Sequence, residues 1–199
     1  MYLIFNTYST DLPRTDVDFR HSLQPNILQF SALIMDRQGR EVDRISTFVR
    51  PGPGATLSPF SDPGAGAMVH QADLNGRDPC NIFDWFDREA RLAEMIVSHD
   101  VALNLRIMTT LAARCRGRAW VPKAARYCTM EHGARLLKIK SGTRKTLGSR
   151  FHSREPTLCQ VHKYLFGVPV EGPDLPLREL EACARIFRYM TGIANLPTS

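Results

Sequence analysis

Two polar side chains stand at the end of the first apolar segment of the chain. Residues 2–5 are aromatic, β-branched or leucine and carry no charge, which is typical of a buried β-strand. Asn6 and Tyr8 point to the same side, because alternate residues of a strand share a face. An amide and a phenol form hydrogen bonds, but neither is the anionic oxygen ligand that Mg²⁺ prefers. The strand therefore ends in groups that are poor magnesium ligands.

A run of basic residues between positions 135 and 154 is a second candidate for chemistry, and it contains no Asp or Glu. Its members are Arg135, Lys138, Lys140, Arg144, Lys145, Arg150 and Arg154. Such a segment is either a solvated loop or a surface that contacts the phosphate groups of a nucleic acid. The net charge of +6 permits a polyanionic partner without establishing one.

Three stretches resemble the DnaQ-like 3′–5′ exonucleases, the DEDDh group of the ribonuclease H-like superfamily. They are the first strand, the segment IVSHDVALNLRIM around Asn104, which is similar to the family motif Ile-Val-Ala-His-Asn-x-x-Phe-Asp, and the Leu-Phe-Gly ending at residues 165–167. The resemblance extends from Tyr2 to about Met190. It implies an α/β, ribonuclease H-like (DnaQ-like exonuclease) fold, with a mixed central sheet flanked by helices and a single domain over residues 1–199.

The resemblance also implies where the catalytic residues of an active relative would stand. The family's first strand ends in Asp-x-Glu, and these positions hold Asn6 and Tyr8 here. Asn104 stands at the metal-ligating aspartate of the second motif. The spacing of the catalytic histidine and of the last aspartate falls on Asp174 and Glu179. All five positions are changed, so the resemblance implies an exonuclease scaffold with a degenerate catalytic site.

These replacements remove both requirements of two-metal hydrolysis. Two Mg²⁺ ions about 4 Å apart repel each other, and several carboxylates normally offset this repulsion. Only Glu179 and Asp174 keep a negative charge here, and they are weak candidates for holding a single ion. The histidine base is also missing, and a carboxylate is a much weaker base at neutral pH. We therefore expect no catalytic residue and no cofactor, with Mg²⁺ or Mn²⁺ relevant only if residual activity persists.

Three functions are compatible with this pattern. The favoured one is an inactive exonuclease-fold protein that binds single-stranded DNA or RNA, or serves as a subunit of a nucleic-acid-processing complex. The second is a pure protein-interaction adaptor. The third is an active exonuclease with a site rebuilt from Glu179, Asp174 and either Asp11 or Asp100.

Composition narrows the class of protein further. A hydrophobic content of 43% with 23% charged residues is typical of a soluble globular protein, and no apolar run reaches the length of a membrane span. We expect a cytoplasmic protein without a membrane partner, because the start of the chain lacks the features of a signal peptide. The cysteines are scattered without a Cys-x-x-Cys pair, and we predict that all are reduced thiols. They are Cys80, Cys115, Cys128, Cys159 and Cys183.

The remaining pattern predicts the elements that position these residues. Strands are expected at residues 27–35, 42–49 and 95–99, and loops at residues 11–26 and 51–66. Helices are expected to start at Asp78-Pro79, Asp100, Thr129 as N-cap, and Pro176. A loop is also expected around His70, which either stabilises that loop or lies near a bound strand. The remaining specific expectations are that Trp85 and Leu92 join the apolar face of their helix and that Arg114, Arg116 and Arg118 face solvent.

Overall fold

The computed structural model describes residues 1–52, 55, 57, 65–137, 155–172 and 174–193. The described residues form three strands first, and helices and two further strands follow. The elements are β1 (Tyr2–Ser9), β2 (Ile27–Met35), β3 (Glu41–Phe48), α1 (Ala65–Asn75), α2 (Pro79–Leu92), β4 (Met95–Ser98), α3 (Val101–Arg116), β5 (Ala125–Cys128), α4 (Thr129–Leu136), α5 (Leu158–Phe166) and α6 (Leu175–Thr191).

The strands form one five-stranded sheet in the order β3-β2-β1-β4-β5. The β1–β2 and β2–β3 pairs are antiparallel, whereas β4 pairs with β1 and β5 in parallel. This confirms the expected mixed sheet with three antiparallel strands at its start. The carboxyl ends of β1, β4 and β5 meet at one end of the sheet, which we call the front end. Their amino ends form the rear end.

Each face of the sheet carries its own hydrophobic core, because successive residues of β1 point to opposite faces. Leu3 and Phe5 belong to the core beneath α2 and α3, whereas Ile4 belongs to the core beneath α5 and α6. Strand β2 is buried along its whole length. Trp85 packs edge-on against Phe30, as expected. The helices therefore clamp β1 from both sides and fix the direction of its last residues.

Aspartates open three of the helices. Asp78 caps α2 through the backbone N–H groups of Cys80 and Asn81, as predicted from the Asp-Pro pair. Asp100 and Asp174 cap α3 and α6, and both adopt positive φ angles, of 60° and 55°. Aspartate tolerates this left-handed conformation better than most residues do, because its side chain bonds to the nearby backbone.

Several local predictions are wrong. Residues 68–73 lie within α1 rather than in a loop, and His70 is exposed there. Thr129 is the first residue of α4 rather than its N-cap, because its hydroxyl hydrogen-bonds to the ring of His99. Leu92 is 59% exposed. It lies at the end of α2, where the apolar face has already left the sheet.

Two of the three arginines that were predicted to face solvent are engaged with the protein. The guanidinium of Arg114 donates to the backbone oxygens of Gln24 and Pro25. Arg116 is paired with two aspartates of α2 but is exposed as predicted, and so is Arg118. These bonds join α3 to its neighbours, which the spacing of the arginines alone does not reveal.

The prediction that every cysteine is a reduced thiol is also wrong. Cys80 at the start of α2 and Cys115 at the end of α3 form a disulfide, with Cα atoms 5.4 Å apart. The two helices pack against each other, so residues 35 positions apart become neighbours. Cys128, Cys159 and Cys183 are free. Disulfides persist mainly in oxidising compartments. The bond therefore does not favour the cytoplasmic location that was expected from the sequence.

Loss of this disulfide should destabilise the fold. The bond closes a loop of about 36 residues, for which the chain-entropy relation gives about 4 kcal/mol of unfolding free energy. We expect reductant to lower the urea midpoint of the wild type, and C80S/C115S to have this lower midpoint with or without reductant. The control C159S should keep the wild-type response to reductant. A wild-type midpoint that ignores reductant would contradict the bond.

Candidate functional site

The structure brings together, at the front end, four of the five positions where the family resemblance predicts catalytic residues. Asn6 and Tyr8 both face α6, as the alternation of β1 predicts. The side-chain amide of Asn6 donates to the carbonyl oxygen of Pro176 at 3.0 Å. The Tyr8 hydroxyl donates to Oε2 of Glu179 at 2.5 Å. Two hydrogen bonds therefore join the end of β1 to the first turns of α6.

Thr7, the residue between them, faces the other way and contacts α3. Its backbone N–H and its hydroxyl both donate to Oδ1 of Asn104, at 2.9 and 2.7 Å. The amide nitrogen of Asn104 donates to the carbonyl oxygens of His99 and Asp100, both at 3.1 Å. Thr7 was not among the residues predicted from the sequence, although strand alternation places it on the face of β1 opposite to Asn6.

The hydrogen bonds of Asn104 define what this position accepts. The side chain is 6% exposed, and each of its polar atoms makes two hydrogen bonds. An ionised aspartate would place a carboxylate oxygen against the two carbonyl oxygens that now accept from the amide nitrogen. Such a contact between acceptors in a buried setting is unfavourable. The surroundings of Asn104 are therefore built for an amide.

A pair of Mg²⁺ ions does not fit these residues. The phenol of Tyr8 is bound to the one carboxylate of the cluster, and the oxygen of Asn104 is already occupied by Thr7. Asp174 caps α6 through the N–H of Leu177. Across the described ranges, no group of three His, Cys, Asp or Glu side chains is placed to hold a metal ion.

The aspartates considered for a rebuilt site also have local structural roles. Asp100 accepts a hydrogen bond from the N–H of Leu103 and so caps α3. Asp11 lies in the exposed loop after β1, where its carboxylate accepts from the N–H of Leu12. Each carboxylate is thus engaged with its own segment of backbone.

The ring of His99 links three segments of the chain next to the front end. Its Nε2–H donates to the carbonyl oxygen of Pro156 at 2.9 Å, and Nδ1 lies 3.0 Å from the hydroxyl of Thr129. Burial lowers the pKa of His99 to about 4, and the hydrogen bond to Pro156 offsets only part of this effect. The neutral ring thereby links the turn after β4 to the start of α4 and to the segment before α5.

Two arginines of α3 hold the loop between β1 and β2 beside the site. Arg106 donates to the carbonyl oxygen of Arg14 at 2.7 Å and lies over the ring of Phe19. Arg114 donates to the backbone at the end of the same loop. The role of Arg106 was not predicted from the sequence, and helical spacing of eight residues between the two arginines is the signal that places them on one face.

The structure describes only one of the predicted nucleic-acid contacts. Arg135 lies exposed in the last turn of α4. The other six predicted contacts lie outside the described residues, namely Lys138, Lys140, Arg144, Lys145, Arg150 and Arg154.

Comparison with solved structures identifies the fold. The chain is similar to E. coli exonuclease I in complex with a dT13 oligonucleotide, with a TM-score of 0.67 at 10% identity over 96% of this chain. A product-bound structure of exonuclease I gives 0.66 at 10% identity, and an ExoI/SSB-Ct complex gives 0.61 at 10%, each over 96% of this chain. The chain spans 40–43% of the length of these proteins. This confirms the ribonuclease H-like exonuclease fold.

The other comparisons give no match. Neither a scan against protein-family models nor a search of curated proteins finds a relative of this chain. Among the helices in the part of the chain that the structure describes, none has the length and apolar character needed to cross a bilayer.

Replacing Asn104 by aspartate should destabilise the protein in a pH-dependent way. At pH 7 we expect N104D to lose about 2–3 kcal/mol of unfolding free energy, since a buried carboxylate would face two carbonyl oxygens. Protonation of the new carboxyl supplies a donor, so the difference from the wild type should shrink towards pH 4. The control N81D changes an exposed asparagine in the first turn of α2, where an acidic residue is tolerated. An N104D variant as stable as the wild type at pH 7 would show that this position does not require an amide.

His99 should make stability depend on pH between about 4 and 6.5. Its folded-state pKa of about 4 lies below the ordinary value of 6.5, so the unfolded state binds more protons in this window. Stability should therefore fall as the pH decreases through the window, by up to about 3 kcal/mol. Urea unfolding of H99Q should show a flatter pH dependence. The control H70Q, on the exposed face of α1, should retain the wild-type slope, and an equal slope in H99Q and the wild type would refute the assignment.

Proposed function

We propose that this chain is a catalytically inactive protein of the DnaQ-like exonuclease fold that binds single-stranded DNA or RNA at its front end. It would act as a subunit of a nucleic-acid-processing complex. The observation that carries the proposal is the hydrogen-bonded cluster of Asn6, Tyr8, Asn104 and Glu179 at the positions where metal ligands are expected. Amides and a phenol fill these positions, and each already has partners within the protein.

The electrostatics of the front end support binding without cleavage. An exonuclease site without metal ions concentrates several carboxylates, which repel the phosphates of a bound strand. Glu179 is the one carboxylate of the cluster here, and it accepts a hydrogen bond from Tyr8. The front end therefore repels a polyanion less strongly, and no metal pair is required to neutralise it.

An unpaired acceptor at the front end also favours a ligand there. Oδ1 of Asn6 is buried and has no hydrogen-bond partner among the described residues. An unsatisfied buried acceptor is unfavourable by about 1–3 kcal/mol. A hydroxyl or amino group of a bound nucleotide is a donor that would satisfy this oxygen.

The structural neighbours are consistent with this function. One of them is E. coli exonuclease I bound to an oligonucleotide, and another is the ExoI/SSB-Ct complex. Under our proposal this chain shares the strand-binding role but not the cleavage. The basic residues between positions 135 and 154 would contact phosphates, as their sequence pattern indicates.

A rebuilt metal site is the less favoured alternative, because Asp100 and Asp174 serve as helix caps and Asp11 is engaged in its own loop. A protein-interaction adaptor is the second candidate. A groove at the rear end favours it, and that groove can coexist with nucleic-acid binding.

One experiment tests both parts of the proposal. End-labelled single-stranded DNA and RNA are incubated with the protein in Mg²⁺ or Mn²⁺, and binding and strand length are measured together. We expect binding that weakens with salt, and no shortening of the strand. The variant R144A/K145A/R150A/R154A should bind at least about tenfold more weakly, with a shallower salt dependence.

A matched variant distinguishes binding by this specific surface from a general effect of the protein's positive charge. R20A/R50A/R77A/K163A removes the same charge from exposed positions elsewhere and should bind as the wild type does. Metal-dependent shortening that chelation stops, and that E179Q abolishes, would overturn the claim of inactivity. Absence of affinity for both DNA and RNA would overturn the claim of binding.

A further inference from the structure

A second concave surface lies at the rear end of the sheet, away from the degenerate site. It is a groove of about 730 Å³ between the end of α2, the end of α3 and the segment that leads into β5. We call it the rear groove and define it by the residues that its chemistry depends on. They are Arg91, Arg116, Arg118, Trp120, Val121 and Lys123.

A buried carboxylate organises one side of this groove. The side chain of Asp87 is 6% exposed and accepts hydrogen bonds from the indole N–H of Trp120 at 2.7 Å and from the guanidinium of Arg91 at 3.0 and 3.1 Å. Arg116 donates to the same carboxylate at 3.0 Å and to Asp84 at 2.6 Å. Asp87 thereby holds two guanidinium groups in fixed positions along the groove.

The groove also carries positive charge that has no ion-pair partner among the described residues. Arg118 and Lys123 are exposed, and neither forms an ion pair with any described residue. Glu94 also lines the groove, but its carboxylate binds the N-terminal amine at 2.7 Å and Arg37 at 2.9 Å. The groove therefore has an excess of cations and suits an anionic ligand.

The apolar lining of the groove distinguishes between anionic ligands. Alanines of α2 and α3 line the groove and leave room for a main chain to approach closely, and Val121, which also lines it, is 71% exposed. Trp120 does not offer a free stacking site, because it packs against Phe83 and Phe86 and its N–H is bound to Asp87. Single-stranded nucleic acid is normally bound by aromatic stacking as well as by phosphate contacts. The lining thus favours an extended peptide over a nucleic acid.

We propose that the rear groove docks an acidic segment of a protein partner, in which Asp and Glu alternate with aliphatic side chains. The carboxylates would meet Arg118 and Lys123, and the aliphatic side chains would contact Val121 and the alanines. Arg91 and Arg116 are already held by Asp87, so little conformational entropy is lost when they meet the ligand. Asn104 and Arg116 are separated by about 18 Å along α3, so the docked segment leaves the front end open.

Selection of peptides tests this proposal without knowledge of the natural partner. A random-peptide display library is first depleted on the variant R118E/K123E and is then selected on the wild-type protein. We expect the enriched peptides to be rich in Asp and Glu beside Leu, Ile and Val. A synthetic enriched peptide should bind the wild type with salt-dependent affinity and should bind R118E/K123E at least about tenfold more weakly.

Two further variants make the result specific. R77E/K163E carries the same change in net charge at exposed positions outside the groove and should bind the peptide as the wild type does. V121D leaves the basic side chains in place but should weaken binding of the peptide, because the peptide loses its apolar contact with Val121. Addition of the peptide should leave oligonucleotide binding by the wild type unchanged.

Three results would each overturn the proposal. The first is a selection that enriches no acidic sequence over the starting library. The second is an enriched peptide that binds R118E/K123E and the wild type equally. The third is a labelled oligonucleotide whose binding is lost in R118E/K123E and is displaced by the peptide, since this would show that the groove belongs to the nucleic-acid surface.

Discussion

The hydrogen bonds of the Asn104 carboxamide fix the junction on which the front end depends. They join Thr7 of β1 to the turn between β4 and α3, in a buried setting where each bond is strengthened by the low dielectric constant. An amide suits this junction because it offers donors and acceptors without a net charge. The family resemblance predicts anionic metal ligands at the corresponding positions. Here, direct hydrogen bonds join the same strands and helices.

The contacts to α6 follow the same principle. The bond from Tyr8 to Glu179 and the bond from Asn6 to Pro176 fasten β1 to the first turns of α6. A phenol is long enough to reach across the space between the strand and the helix, and it presents a donor where a second carboxylate would present only another negative charge. Two carboxylates at these positions would repel each other. With Tyr8 in place of one of them, a hydrogen bond holds the strand and the helix together instead.

Much of the architecture followed from periodicity and from cap residues in the sequence. Strand β2 has the predicted limits, because its mostly apolar residues are buried on both faces. The start of α2 was also predicted correctly, since Asp78 and Pro79 combine a cap with a residue preset for the first turn. The convergence of Asn6, Tyr8, Asn104 and Glu179 followed from the resemblance of the motifs. Local composition and motif order were sufficient in these cases.

The errors occurred where tertiary contacts override local patterns. Thr129 has the side chain of a helix cap, but its hydroxyl hydrogen-bonds to His99 instead. No feature of the sequence near Thr129 indicates this contact. Cys80 and Cys115 become neighbours only because α2 and α3 pack against each other. The hydrogen bonds within the front-end cluster could not be predicted from the sequence either. A motif shows which residues converge but not which atoms bind one another.

The two ends of the sheet carry different surfaces. Helix α3 contributes Asn104 to the front end and Arg116 to the rear groove, so one rigid element carries a polar cluster at its start and a cationic surface at its end. Each group is anchored to a different neighbour, Asn104 to β1 and Arg116 to the aspartates of α2. These two sets of anchoring bonds share no residue. Under our two proposals, one scaffold binds a nucleic-acid strand at its front end and a protein segment at its rear end.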